Sequence, residues 1–434
     1  MRFTLLRWPS ERLRFLSNIA WSRMHRGSRH RLGCSSSVDN APMKIVLVIG
    51  RLLATGSLLG LALRPDTRHA GLAVLGIGLT LRLLQPARST VVTAVGYSIA
   101  GIAAACVSAS WFPQALRNLG STESEAGIGF GIAAFACAIP TCFSLGLAVG
   151  TTRGCPRSTR LATITVAVFT IENVLLRWPS FVPWMLSGYA AIDDPGLAQL
   201  ASVGGVPLVS AAIMAGGWAI SELGPGRGAH TSPRMPTAIL GGLIATSVFG
   251  LDVAKRSSSP EWTSAQKTRL LAIQPALPRT ERLRPSLGSL NEKRLLRFSR
   301  RARGEDGFED LLIVWPEGSV LGSGTASQAL GSARRLTREL DTTLVLGISS
   351  ATSEARDSNA RRGAWNGAAS IARDGTRLDS FQKHVGVPIF ERRPDSAFAR
   401  FAADAIGLPG RGARIDESPR LAPLRDPRGV VVAL

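Results

Sequence analysis

Leu311-Leu312-Ile313-Val314-Trp315-Pro316-Glu317 is an unbroken apolar run of β-type residues that ends in a proline and a carboxylate. Such a run reads as a buried strand of an α/β fold. It delivers Glu317 to the strand's carboxyl end, where folds of this class place their chemistry. Glu317 is therefore the first catalytic candidate. The second is Lys383, within Phe381-Gln382-Lys383-His384-Val385-Gly386-Val387-Pro388-Ile389-Phe390-Glu391. Of the 51 basic residues only five are lysine (Lys44, Lys255, Lys267, Lys293 and Lys383), so arginine is this chain's default cation and a lysine stands out. A guanidinium is planar and stays charged. A compact ammonium can stand within hydrogen-bond distance of a carboxylate and an oxyanion together. Taken alone, Lys383 reads better as a surface lysine on a strand; the pattern around it changes that.

Four stretches follow one another in a fixed order: Trp315-Pro316-Glu317, then Leu344-Val345-Leu346-Gly347-Ile348, then Trp365-Asn366-Gly367-Ala368-Ala369 running into Asp374-Gly375, then Lys383 ahead of Val387-Pro388. In this order and spacing the chain resembles the nitrilase (carbon-nitrogen hydrolase) superfamily and, within it, the apolipoprotein N-acyltransferases. The resemblance implies a Glu-Lys-Cys triad in which Glu317 is the general base and Lys383 stabilises the tetrahedral intermediate. Glu391 falls on the family's second, supporting glutamate, although the usual Phe-Gly-Glu is Ile389-Phe390-Glu391 here. No metal or other cofactor is implied.

Ahead of that half, the composition is that of a membrane protein. The chain of 434 residues is 45% hydrophobic, with mean hydropathy +0.16, and the apolar residues concentrate between Lys44 and Ala254. Seven stretches read as spans: about Ile45–Leu63, Ala70–Leu84, Val91–Trp111, Gly127–Gly150, Leu161–Leu176, Leu200–Ile220 and Pro236–Val253. A spanning helix needs about 20 residues, and the second and fifth are short of that. Their glycine and alanine content suits close helix packing in lipid. The net charge of +21 could suggest nucleic acid, but the arginines lie in the N-terminal arm, in short loops and scattered over the polar half, without a nucleic-acid motif. Nucleic acid is therefore not an expected partner.

Residues 1–43 hold eight arginines and two tryptophans without a continuous apolar run. They read as a basic arm lying on anionic lipid, or as an extension ahead of a start at Met43. That arm and the loops holding Arg88, Arg153, Arg157, Arg160, Arg227 and Arg234 outweigh the loops holding Arg64, Arg68, Arg117 and Arg177. The bias puts the amino terminus inside, and seven spans then bring the chain out. Between the fifth and sixth spans, Arg177-Trp178-Pro179-Ser180-Phe181-Val182-Pro183-Trp184-Met185-Leu186-Ser187-Gly188-Tyr189 is too rich in proline and aromatics for a simple helix. It reads as an interfacial aromatic belt. It also resembles the Phe-Pro-Trp and Gly-Tyr segment of the N-acyltransferases, a match continued by Asp194-Pro195 through Gly204 and Val206, which implies substrate contacts from Trp178, Pro183, Trp184 and Tyr189. Glu172, an acid near the end of a span, is a functional candidate by the cost of its position, and pairing with Arg177 would be a sufficient structural reason for it.

The expected organisation is thus a basic arm (1–43), a transmembrane domain of about seven helices (44–254), a polar linker (255–267) and a periplasmic nitrilase-like domain (268–434). In that last domain Arg269 to Pro275 opens as a strand, 285–310 is a basic helix with a solvated face, and Ser327 to Leu340 is a helix leading to the strand Thr343 to Ser349. Alternating strands and helices make an α/β sandwich.

For the family, the activity implied is acyl transfer at the outer face of a bacterial inner membrane. An acyl chain passes from phospholipid to a cysteine thiolate, then from the thioester to the α-amine of a diacylglyceryl-cysteine lipoprotein. A membrane-tethered amidase of the same fold, or a relative that binds without turnover, are the other readings. The five cysteines (Cys34, Cys106, Cys137, Cys142, Cys155) show neither metal spacing nor a disulfide framework, and none follows residue 155. Fifty-one residues follow Lys383, ending in Asp426-Pro427-Arg428-Gly429-Val430-Val431-Val432-Ala433-Leu434. In the family such a strand leads into the Cys-Tyr-Glu nucleophile turn, so the expectation is a chain that stops before its nucleophile, with an incomplete outer domain and no activity of its own.

Overall fold

The computed structural model describes residues 41–87, 89–118, 121–177, 184–223, 233–257, 269–274, 285–306, 311–322, 326–351, 364–383, 400, 424–425 and 431–433. The basic arm up to residue 40, and Trp178, Pro183 and Glu391, lie outside them. By contacts the chain falls into two units, Met1–Leu47 and Val48–Leu434. Of the first, the opening turns of one helix are described.

The apolar half is helical: α1 (Ala41–Leu63), α2 (Ala70–Leu84), α3 (Thr90–Ser108), α4 (Phe112–Asn118), α5 (Glu123–Thr151), α6 (Arg157–Leu176), a 3-10 turn (Ser187–Ala191), α7 (Pro195–Ala198), α8 (Ala201–Glu222) and α9 (Arg234–Ser257). Six of these are long and apolar enough to cross a bilayer, so this is a multi-pass membrane protein. The second of the seven expected spans, α2, is shorter than these six. Its 15 residues reach only about 22 Å at 1.5 Å each, less than the hydrocarbon thickness of about 30 Å. The helix is stopped at one end by His69, whose ring accepts the Gly71 N–H, and at the other by Gln85 and Pro86.

The bundle packs α3 on α5, α2 on α8 and α6 on α8. Small residues set these distances. A Cβ on Gly78 would come within 2.8 Å of the Gly217 carbonyl, and one on Gly217 would run into Ile77, so α2 and α8 touch backbone to backbone. Thr80 donates to Thr55 at 2.9 Å, joining α2 to α1 by a hydrogen bond that lipid cannot replace. Ile244, Val248 and Phe249 form an exposed apolar stripe on α9, the surface expected of a helix facing acyl chains. Within α8 the helix breaks at Gly204 and Gly205; the φ of +68° at Gly205 is open to glycine and costly for other residues.

The polar half is a mixed sheet. Strands β1 (Arg269–Ala272), β2 (Leu311–Val314), β3 (Val320–Gly322), β4 (Thr343–Ala351), β5 (Ala364–Ile371) and β6 (Arg377–Gln382) run in the order β1-β2-β4-β5-β6, with β3 also on β4. The β1–β2, β2–β4 and β3–β4 pairs are parallel, and β5 and β6 are antiparallel additions. Helices α10 (Pro285–Asp306) and α11 (Ala326–Leu340) precede β2 and β4. Alternation along β2 and β4 splits their side chains between two faces. Ile313, Trp315, Leu344, Leu346 and Ile348 pack with Leu295 of α10 and Ala333 and Leu336 of α11. Leu312 and Val345 meet Val314, Ala368 and Phe381 on the opposite face. A short pair, β7 (Leu424–Arg425) and β8 (Val431–Ala433), completes the described strands. The described residues therefore give one small mixed sheet with helices on one face; the full sandwich stays an expectation.

Candidate active site

Residues 66 positions apart meet at the end of this sheet. Nζ of Lys383 stands 3.2 Å from Oε1 of Glu317, an ion pair that is also a hydrogen bond. The Glu317 side chain is 62% exposed and that of Lys383 26%, so the carboxylate is open to an incoming group while the ammonium is partly enclosed.

The local sequence explains how Glu317 arrives there. β2 ends at Val314, whose pairing partner is Val345 of β4, and the Trp315 N–H then donates to the Val345 carbonyl at 2.8 Å. Trp315 is buried, and its indole N–H donates to Ser299 of α10 at 3.1 Å, so it anchors the turn that follows. Pro316 and Glu317 then cross directly over Gly347. A Cβ at 347 would fall 2.6 Å from the Glu317 Cα and would also collide with the Pro316 carbonyl. Beyond Gly318, at φ +63°, Ser319 donates to the Gly347 carbonyl at 2.9 Å and accepts at its own carbonyl from buried Asn291 of α10 at 3.0 Å. The turn carrying Glu317 is bolted on both sides, which holds a carboxylate in place although the carboxylate itself is exposed.

Lys383 comes from the antiparallel side. The turn after β5 closes with the Gly375 N–H on Ala372 O at 2.9 Å, with Gly375 at φ +84°, and Asp374 accepts from the Thr376 N–H at 2.8 Å and hydroxyl at 2.7 Å. Those bonds hold the Asp374 carboxyl below its usual range. β6 then runs back beside β5 with Phe381 opposite Ala368, itself opposite Gly347. That cross-strand line places the residue two beyond Phe381 close to the one crossing Gly347.

A base beside an ammonium can activate a thiol and receive the proton it loses, while the ammonium faces the oxyanion that forms. Among the described cysteines, Cys106 lies in α3, Cys137 and Cys142 in α5, and Cys155 between α5 and α6, so none belongs to this sheet. Among the described residues no cluster of His, Cys, Asp and Glu could hold a metal ion.

The second group of candidates sits on the helical half. Trp184 packs on Trp111 and Phe112, with ring centroids 5.5 and 5.3 Å apart, at the junction of α3 and α4. Tyr189 lies in the 3-10 turn, half-buried; burial first, and then the Glu172 carboxylate, push its phenol up. Glu172 itself is 2% exposed, with Oε2 lacking a hydrogen-bond partner. It does not pair with Arg177. Five residues apart on a helix are about 140° apart around the axis, so Arg177 cannot share its face. The carboxylate turns inward instead, towards Ser210 of α8 and the backbone of Ser187. Ser210 is a residue that sequence reasoning missed. It faces the Glu172 carboxylate and accepts the Gly188 N–H at 2.7 Å, tying the aromatic segment to α8. Asp194, within the resembling stretch, caps α7 through the Gly196 and Leu197 N–H groups and accepts from Ser247 of α9 at 2.9 Å.

Residues 55–219, from within α1 to near the end of α8, match the family model of the apolipoprotein N-acyltransferase N-terminal domain. Over those residues the chain is similar to the apolipoprotein N-acyltransferases, which points to an acyltransferase of the membrane. No curated protein matches the chain.

Proposed function

We propose that this chain serves N-acyl transfer to lipoproteins, with the helical half (44–254) gathering two lipid-anchored substrates and the sheet domain (268–434), on the outer side of the inner membrane, holding the reaction centre. The observation that carries the reading is the Glu317–Lys383 pair at 3.2 Å in a chain whose residues 55–219 match the acyltransferase membrane domain. In this chemistry Glu317 takes the proton of a thiol as its sulfur attacks the ester carbonyl of a phospholipid, and Lys383 faces the oxyanion. The C–S bond forms, the C–O bond breaks, and the proton held by Glu317 leaves with the lysophospholipid alcohol. The lipoprotein's free α-amine then attacks the thioester. A C–N bond forms, the C–S bond breaks, and the thiol recovers its proton.

Confinement of both substrates at the interface supplies the proximity that makes this device effective. Trp184 and Tyr189, with Trp178 and Pro183 of the same segment, are the residues assigned to substrate contact. Glu391 supports the pair. Residues 1–434 contribute the base and the lysine, and their five cysteines all lie at or before Cys155.

The test uses native membranes, where any further polypeptide that supplies the thiol is present. A diacylglyceryl lipopeptide is offered, and its mobility shift on acylation is followed by gel. Glu317→Gln and Lys383→Met are each expected to abolish the shift while the protein level is unchanged. Wild-type acylation in either variant removes that residue from the reaction, and release of a free fatty acid in place of acylated lipopeptide favours the amidase.

A further inference from the structure

We propose that the end of the bundle formed by α2, α5, α6 and α8 is a binding site for a phosphate group, separate from the acyl-transfer centre. Those four helices enclose a cavity of about 130 Å³ lined by Leu84, Gln85, Arg153, Arg160, Trp218 and Ser221. Comparable volume accommodates a benzene ring, so a phosphate group fits and a nucleotide does not.

Gln85 and Ser221 donate to carbonyls of α8, but the other polar side chains of the cavity carry hydrogen-bond donors without acceptors among the described residues. Both terminal nitrogens of Arg153, Nε of Arg160 and the indole Nε1 of Trp218 are buried and lack a hydrogen-bond partner among the described residues, and Trp218 is 0% exposed. Buried donors are normally satisfied, so four of them converging on one void ask for an acceptor. Charge points the same way. The one carboxylate close by, Glu222, is taken by Arg157 at 3.1 Å and lies 3.8 Å from Arg160. Three arginines thus face one glutamate, and among the described residues the guanidinium of Arg153 has no counter-charge. Burial, and then the like charge of Arg160, lower its pKa, the sense that an unbalanced cation gives. Attraction to the carboxyl ends of α2, α5 and α8 explains why arginines gather here. It leaves their donors unsatisfied, since none of them reaches a helix carbonyl. Water could take the hydrogen bonds but would leave the charge.

The loops that follow α2, α5 and α8 are the three whose arginines the sequence assigns to the cytoplasmic side, and the cavity lies at the carboxyl ends of those three helices. A basic pocket between helices at that level suits the phosphodiester of an anionic phospholipid, whose tails would lie along α5 and α6. Inorganic phosphate offers the same chemistry without the tails.

The purified full chain in a maltoside detergent, free of phosphate, is melted with added dioleoylphosphatidylglycerol, dioleoylglycerol or inorganic phosphate. A filled site at about a hundredfold excess over Kd should raise Tm by about 5–10 °C. Phosphatidylglycerol is expected to do so and dioleoylglycerol not. A shift with inorganic phosphate alone keeps the phosphate site and removes the lipid as its source. Arg153→Gln should weaken phosphatidylglycerol binding about tenfold or more, and should leave Tm in bare detergent unchanged or higher, because an unbalanced buried charge is gone. Arg153→Lys, which retains the charge, should recover part of the binding and serves if the glutamine variant is poorly produced. Equal stabilisation of wild type and Arg153→Gln by phosphatidylglycerol overturns the proposal, as does a wild type indifferent to both phosphate probes.

Discussion

Replacing Glu222 by Gln tests how the basic end of the bundle is held together. The Glu222 side chain is 0% exposed, with Arg157 Nε 3.1 Å and an Arg160 terminal nitrogen 3.8 Å from its two oxygens. At an effective dielectric of about 20, Coulomb attraction at those separations is about 5 and 4 kcal/mol. Most of that is offset by the cost of taking the charges out of water, so the pairs are not worth this much to stability. Removing only the carboxylate is different: the desolvation of the arginines remains and its compensation is lost, which costs about 3–5 kcal/mol. The Arg157 side chain, 28% exposed, can turn its head towards water, while that of Arg160, at 14%, has less room. The lower end, about 3 kcal/mol, is therefore expected. With about 2–4 °C per kcal/mol for a unit of this size, Tm in detergent should fall by about 6–12 °C. A Glu222→Gln/Arg157→Gln double variant should recover part of the loss, because the two residues are coupled. If Glu222→Gln melts within about 2 °C of wild type, the carboxylate is not compensating the arginines and the charge balance argued above is wrong.

Washing membranes with carbonate at high pH should leave the chain in the pellet, since six helices are long and apolar enough to cross a bilayer; recovery in the supernatant would contradict that. A reporter fused after residue 300 should be active only when exported, and activity confined to the cytoplasm would reverse the orientation. Gly347→Ala should push the Pro316–Glu317 turn off β4 at a cost of about 1–3 kcal/mol and reduce acylation without touching either charged side chain; unchanged acylation in native membranes would show that this contact does not position Glu317. In a Tyr97→Phe variant Tyr189 is the remaining tyrosine, and its absorbance titration should have a midpoint above 10. As the folded pKa is raised, the stability that the neutral phenol contributes is complete below pH 10 and is lost as pH rises through the folded value; a midpoint at or below 10 would place Tyr189 in water.

Periodicity and composition alone located the elements. The run Leu311 to Val314, the helix ending at Leu340 and seven apolar segments were legible because burial in lipid or in a sheet imposes a repeat on the chain itself. Glu317 and Lys383 were legible as candidates because a carboxylate closing an apolar strand and a lysine in an arginine-rich chain both break the local pattern. Their meeting at 3.2 Å was not, since it depends on the register that sets Gly347 against Ala368 and Ala368 against Phe381. The fate of Glu172 was equally out of reach. Its proximity to Arg177 in sequence suggested a pair, and helical geometry turned it towards Ser210. Arg153, Arg160, Trp218 and Glu222 come from two helices and the loop that precedes one of them, and the sequence marks them only as loop arginines and the polar end of a span. A hydrophobic pattern records which face of an element is buried. Which buried groups find partners is decided when faces from distant segments pack, because hydrogen bonds and charge compensation act over about 3–4 Å and that distance is set only by the tertiary structure.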